Sequence, residues 1–599
     1  MGLVANPDIH FDAADCRVAP WAKHYPACIP ARLDYPRIPA WGFLERTAAA
    51  HGDRTGCIYY QERRTFADLA DGARRTASAL VRSGVVPGDR VALMLPNVPE
   101  YFTALNGIWM AGGVPVALSP LMAPEEASAM IGATGCRTLI GLDLLAPLFL
   151  RGANRPERVL LTTISDRLPL WQKLGYAFAR LRKLGLWRSA DEPRLLDYAQ
   201  EVAAADPRFE PLHPESLDAP AYILPTGGTT GHPKAVVLSH RNLGANAWQL
   251  YHWSGGRPAR ESLLAVLPFF HSYGLTTSLM TATALAATTV IHHRFVPRIV
   301  LDLIEEHQPS IFPAVPAMLV ALNELLRQRP IEFRNLKCVI SGGAPLPPAV
   351  AEEFARHSGA TVVEGYGLSE ASPVTHTNPL DRTDRPGTIG LPLPDTDARI
   401  VDAATGTETL PPGEVGELAV RGPQVMLGYW NDEEATRRTI RGGWLYTGDL
   451  GTMDEDGFFR IVDRKKDLII TSGFNVYPSD VEQVLREFPG VADVAVVGLL
   501  CPERGEKVAA MVAMTAGRDF DRRAFDQFCE QRLAKHKQPR VVEVVKGDLP
   551  RNFLGKVLRR KLRSGEQGVG GAPTAPWPAA GPLVPQLSPP LTCTVQNAP

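Results

Sequence analysis

The chain has 599 residues, too many to pack around one hydrophobic core, so several domains are expected. Apolar residues make up 45% and charged residues 21%, with a net charge of -1: the balance of a soluble globular enzyme, without the basic excess that nucleic-acid binding demands. Eight scattered cysteines, with no Cys-x-x-Cys pair, argue against structural zinc and a disulfide framework and fit a reducing, cytoplasmic setting.

The first residues, with Asp8, Asp12 and Asp15, lack the basic-then-apolar pattern of a secretory leader, so export is not expected. Residues 1–34 read as an extension. Trp41, Leu44 and Ala48 then share one helical face, and Phe66 to Arg82 repeats apolar residues at helical spacing. Pro87-Gly88-Asp89 turns into a strand from Arg90 to Leu95, followed by a helix from Tyr101 to Ala111 and a strand from Val114 to Leu118. This alternation marks an α/β domain.

Between Arg167 and Arg188 every charged residue is basic: Arg167, Lys173, Arg180, Arg182, Lys183 and Arg188. Leu170, Leu174, Phe178, Leu181 and Leu184 recur there at three- and four-residue steps, with Trp171 and Trp187 alongside. Two covers for the apolar face of such a helix stay open, an anionic membrane surface or the protein's own domain.

Thr226-Gly227-Gly228-Thr229-Thr230-Gly231-His232-Pro233-Lys234 lies between two apolar runs, Ala221 to Leu224 and Ala235 to Leu238, which predicts strand, loop, strand. Backbone N–H groups, hydroxyls and the Lys234 cation suit a polyphosphate. The spacing differs from the G-x-x-x-x-G-K-[ST] loop. Residues 262 to 291 contain no Asp, Glu, Lys or Arg, but Pro268, His271 and Gly274 interrupt them, which favours a buried strand, a loop and a core helix over a membrane span.

His271, between bulky aromatics and Gly274, is a candidate pocket wall or a satisfied core histidine. Ser341-Gly342-Gly343-Ala344-Pro345 is a turn that a planar ring could approach. Within Glu364-Gly365-Tyr366-Gly367-Leu368-Ser369-Glu370, Tyr366 offers a stacking face and Glu370 a hard oxygen ligand for Mg2+. From about residue 386 short β-type runs lead to Asp449, whose carboxylate could accept both ribose hydroxyls. Arg464-Lys465-Lys466-Asp467 reads as an exposed linker and hinge before a small α/β unit, and the Pro- and Gly-rich stretch after Arg563 reads as a disordered tail.

In this order and spacing the chain, over roughly residues 35 to 563, resembles the acyl-adenylate-forming enzymes, and among them the long-chain fatty-acid–CoA ligases. The match rests on TGGTTGHPK (226 to 234), LPFFHSYG (267 to 274), SGGAPL (341 to 346), EGYGLSE (364 to 370), YTGD (446 to 449), residues 459 to 482 and LPRNFLGKVLRR (549 to 560). The resemblance implies a large N-terminal domain of two doubly wound α/β subdomains plus a β-barrel, here 35–465, and a small mobile α+β C-terminal domain, here 466–563, before a tail at 564–599. It also implies two half-reactions using ATP, Mg2+ and CoA: a fatty acid becomes acyl-AMP with release of pyrophosphate, then the CoA thiol displaces AMP.

By family position, Thr226 and Glu370 would hold Mg2+, and the loop Gly227, Gly228, Thr229, Thr230, Gly231 and Lys234 would grip the β- and γ-phosphates. Gly343, Ala344, Pro345 and Glu364 to Gly367, with Gly365 and Tyr366 between, would meet adenine; Ser369 would meet the α-phosphate, and Asp449 and Arg464 the ribose. Lys556 would bridge the carboxylate and α-phosphate, with His271, Val315 and Tyr366 as acyl-pocket walls. Pivoting at Lys466 would withdraw Lys556 and present Ser472, Gly473 and Phe474 to CoA. Ala235, where the family usually has glycine, predicts altered loop mobility, provided its φ is negative. Medium-chain or aryl acids, a carrier-protein acceptor and a non-catalytic binder are the rival readings; the sequence leaves oligomeric state open, with a homodimer as one arrangement.

Overall fold

The computed structural model describes residues 20–150, 152–168, 170–184, 195–226, 234–381, 385–471, 474–501, 505–551 and 556–563. Among them a first sheet of nine strands runs Leu391–Pro392, Val374–Thr377, Thr361–Gly367, Cys338–Ser341, Ile311–Ala314, Ser262–Ala265, Thr288–Ile291, Thr55–Tyr59 and Glu62–Thr65. From Thr361–Gly367 to Thr55–Tyr59 every neighbour is parallel. These strands are short apolar runs, as strands with helices on both faces must be.

A second sheet of eight described strands runs Gly428–Tyr429, Lys234–Ser239, Pro220–Thr226, Val114–Ala117, Arg90–Met94, Thr138–Leu142, Arg158–Thr162 and Leu195–Asp197. It turns antiparallel at one edge, where Pro220–Thr226 pairs with Lys234–Ser239 and Gly428–Tyr429 joins outside. The two strands that flank residues 227–233 are thus paired antiparallel up to Thr226 and Lys234. Ala235 lies in this extended strand and is not among the residues with positive φ, so its methyl is accommodated.

Helix Phe66–Arg82 begins at a capping box between Thr65 and Asp68 and buries Leu69, Ala73, Ala77 and Leu80. The segment from Arg167 was read as one basic helix; the described helix is instead Leu170–Leu184, and Arg167 sits in the preceding Ser165–Arg167 turn. Its guanidinium contacts Glu62 and Glu100, and Arg64 also reaches Glu100 at 2.9 Å. Burial pushes the Glu100 carboxyl up, but Arg167 and Arg64 more than offset this and hold it below the ordinary value. Arg167 is therefore a structural tie between the two sheets' elements.

Strands Asp397–Val401, Gly416–Arg421, Trp444–Met453, Ile440–Arg441 and Phe459–Arg464 form an antiparallel β-rich body. Beyond it Phe474–Val476, Ile469–Thr471, Gly505–Met514, Val491–Cys501 and Val541–Val545 form a separate sheet with its own core, including Val481, Leu485, Val494, Val512 and Phe525. Among the described residues no helix is long and apolar enough to cross a membrane.

Candidate active site

The carboxyl ends of the first sheet's parallel strands gather the residues singled out in the sequence. His271 follows Ser262–Ala265, Val315 follows Ile311–Ala314, Gly343-Ala344-Pro345 follows Cys338–Ser341, and Thr361–Gly367 carries Glu364 to Gly367 and leads to Ser369 and Glu370. Strand order reverses here, since Thr288–Ile291 flanks one side of Ser262–Ala265 and Ile311–Ala314 the other. Loops diverge at such a switch point and leave a crevice for a ligand.

Backbone detail shapes these strand ends. Gly343 has φ of +82°, a left-handed conformation that suits glycine, and a Cβ on Gly367 would lie 2.0 Å from the Pro373 carbonyl oxygen. The Ser272 and Ser369 hydroxyls lie 3.1 Å apart, which joins the His271 turn to the Glu364–Glu370 segment. His271 Nδ1 accepts the Tyr273 N–H at 3.2 Å, and burial pulls the ring down to about 4. The imidazole is neutral at pH 7, with its proton assigned to Nε2 by that hydrogen bond. Val315 is buried in one apolar cluster with Tyr273.

Tyr366 donates its hydroxyl to Asp449 Oδ2 at 2.6 Å, and Arg464 Nε lies 3.3 Å from Asp449 Oδ1 on the adjacent strand. That Nε is buried against the carboxylate, in an ion pair rather than a well-aligned hydrogen bond. The Tyr366 ring meets His376 edge-on at 6.0 Å, and His376 packs on Phe459 at 4.8 Å. Burial raises the Glu364 carboxyl to about 8, so it is protonated and neutral at pH 7.

Burial also raises the Glu370 carboxyl. Its Oε1 accepts the Tyr429 hydroxyl at 2.9 Å, and Lys234 Nζ lies 4.6 Å from the centroid of the Tyr429 ring. Among the described residues no cluster of three His, Cys, Asp or Glu forms a cage. Glu370 is a single hard oxygen donor in a desolvated setting, and such a donor fits a Mg2+ ion carried in on polyphosphate.

Lys556 comes to this site from the C-terminal part of the chain. It is half-buried; burial first, then the charge of Arg464, lowers its ammonium to about 8, while Asp449 pulls the other way and Lys466 adds repulsion. Nearby, Arg559 anchors the segment by pairing with Glu482 at 2.7 Å and Asp467 at 3.5 Å. Lys466 occupies the Lys465–Asp467 turn, whose Lys465 is tied to Glu417 at 2.7 Å. Phe474, by contrast, stacks on His536 at 4.7 Å and borders a cleft of about 300 Å³ with Lys535 and Arg540.

Gly227, Gly228, Thr229, Thr230 and Gly231 lie outside the described residues, as do Ser472 and Gly473; Thr226 is described by its backbone alone. The structure adds Ser272, Tyr273 and Tyr429 to the candidate set. Gly428-Tyr429, a glycine and aromatic pair in the β-rich region, was the available sign of the last, but nothing in the sequence places it beside Glu370.

The AMP-binding enzyme family model matches residues 44–430, and the model of the AMP-binding enzyme C-terminal domain matches 480–556. A long-chain-fatty-acid–CoA ligase of Bacillus subtilis is 37% identical over 551 residues, covering 91% of this chain and 97% of the relative. A protein of the same description from Escherichia coli is 34% identical over 563 residues, 92% of this chain and 98% of its own. Among solved structures, ATP-bound MatB from Rhodopseudomonas palustris superposes with a TM-score of 0.76 at 29% identity, covering 88% of this chain and 99% of that one.

Proposed function

We infer that this chain, which belongs to the AMP-binding enzyme family, is an AMP-forming ligase that activates a long-chain fatty acid with ATP and transfers the acyl group to CoA. The observation that carries this reading is the convergence of Glu370, Asp449, Arg464 and Lys556, drawn from three separate parts of the chain, on one site. Binding a nucleotide alone would not require the last of them.

In the first half-reaction a carboxylate oxygen attacks the α-phosphorus of ATP, and the bond to pyrophosphate breaks. Two anions must approach, so charge has to be offset in advance by groups already in place. Lys556 holds its proton and offsets charge between the carboxylate and the α-phosphate; Ser369 orients that phosphate, and Lys234 with the preceding loop grips the leaving pyrophosphate. Asp449 and Arg464 fix the ribose, and Tyr366 packs on adenine. Mg2+, when bound by Glu370 and Thr226, supplies further charge neutralisation on the phosphates. His271, neutral, lines the acyl pocket with Val315. In the second half-reaction the small domain, 466–563, pivots at Lys466, and the CoA sulfur attacks the carbonyl carbon, loses its proton and expels AMP, with Ser472, Gly473 and Phe474 presented to CoA.

Replacing Lys556 by Ala tests the assignment: adenylate formation should fall roughly a hundred- to a thousandfold with ATP binding retained. Unchanged activity would sink it.

The acid is taken from a membrane surface. On helix Leu170–Leu184, Leu170, Leu174, Phe178 and Leu181 share one face and are 78, 69, 64 and 48% exposed, whereas Tyr176 on the opposite face is buried and donates to Asp143. Arg180 pairs with Asp143 at 3.2 Å, which fixes the helix with its apolar face outward. An exposed apolar stripe on a segment whose charges are all basic suits an anionic bilayer. Flotation with phosphatidylglycerol-containing liposomes should be lost when Leu174 and Phe178 become Ser; equal flotation would remove the membrane contact.

A further inference from the structure

The reaction above gives Tyr429 no part, yet this residue touches two of its groups at once. Strand Gly428–Tyr429 is laid along Lys234–Ser239, the strand that leaves the phosphate loop, with Tyr429 opposite Val236. Hydrogen bonds from Leu427 N to Val237 O at 3.0 Å and from Trp430 N to Ala235 O at 2.7 Å fix this register. Tyr429 N donates to Thr436 Oγ1 at 2.9 Å, in a helix capped by Asp432. On the other side, Met426 N donates to the Glu370 carbonyl at 2.8 Å. The backbone thus holds Tyr429 rigidly between the loop's exit and the turn carrying Glu370.

We propose that Tyr429 is a positioning residue that sets the Glu370 carboxylate and the Lys234 ammonium in one mutual arrangement, its hydroxyl orienting the first and its ring face seating the second. The hydroxyl donates to Glu370 Oε1 at 2.9 Å, so the carboxylate is held in one rotamer with its other oxygen directed away from the phenol. The ring lies under Lys234 Nζ at 4.6 Å, where its π face attracts the cation. A partner that orients a ligating carboxylate governs metal affinity nearly as the ligand does. Tyr429 therefore links the Lys234 ammonium to capture of the divalent ion that arrives with ATP. This rests on the reading of Glu370 as a Mg2+ ligand and of Lys234 as a phosphate grip.

Two substitutions separate the contacts: Tyr429→Phe keeps the ring and removes the hydroxyl, and Tyr429→Leu removes both. The probe is α,β-methylene ATP, which cannot transfer its AMP group because the bridge between α- and β-phosphorus does not break, with its Kd measured by calorimetry as Mg2+ is raised from zero. In Tyr429→Phe the affinity without Mg2+ should match the parent, while the Mg2+ concentration for half-maximal tightening rises about tenfold. In Tyr429→Leu the same shift should be joined by severalfold weaker binding without Mg2+. Parental Mg2+ dependence in Tyr429→Phe, alongside a shifted one in Glu370→Gln, would overturn the proposal. So would an equal loss of affinity with and without Mg2+ in Tyr429→Phe, since a merely structural role predicts that. If Glu370→Gln also keeps the parental dependence, the reading of Glu370 itself fails, and the proposal falls with it.

Discussion

In the proposed mechanism Lys556 serves adenylation as a cation, and its surroundings bring its loss of charge close to neutral pH. Burial and Arg464 lower the ammonium to about 8. The charged form persists below that value and is lost above it, so kcat/KM for pyrophosphate release should be level below pH 8 and fall about tenfold per pH unit beyond. A Lys556→Arg variant stays charged and should lack this alkaline limb, whatever its starting rate. An identical limb in that variant would assign the titration to another group.

Among the elements, the Lys465–Asp467 turn has the clearest mechanical consequence. Asp467 is held by Arg559 and Arg563, while Lys465 is tied to Glu417 in the β-rich body, which leaves Lys466 between two anchored neighbours. Lys466→Pro fixes φ there and removes a backbone donor. Acyl-AMP should still form at near the parental rate, and acyl-CoA should appear at least about tenfold more slowly, read in a rapid-quench experiment that follows both products. Equal slowing of both steps would contradict a hinge at this residue.

The same elements show what a sequence can and cannot display. The two strands flanking residues 227–233 and helix Phe66–Arg82 were legible, because apolar spacing is local. Helix Leu170–Leu184 was legible as amphipathic, but periodicity defines a face without saying whether it points to the core; the exposed Leu174 and Phe178 had to be seen. Arg167 was taken with its basic neighbours, since its partners Glu100 and Glu62 lie 67 and 105 positions away. Family motifs named Glu370, Asp449, Arg464 and Lys556. Tyr429, 59 residues from Glu370, escaped because pairing across a sheet edge leaves no trace in spacing.

At the scale of the molecule, the proposed mechanism has one site serve two reactions: the larger part of the chain would supply the nucleotide site, and the smaller part first Lys556 and then the segment around Phe474. In the present arrangement Lys556 lies in the field of Asp449 and Arg464, as the proposed adenylation step requires, while Phe474 stacks on His536. The most direct test follows pyrophosphate and thioester in parallel, with ATP, Mg2+ and a panel of medium-chain, C12 to C18 and aromatic acids, each with and without CoA. Pyrophosphate release is expected with the C12 to C18 acids, and their conversion to acyl-CoA only when CoA is present. Adenylation with no transfer to CoA would contradict the ligase assignment and point to a carrier-protein acceptor, preference for the other acids would contradict the substrate class, and no turnover with any acid would contradict catalysis altogether.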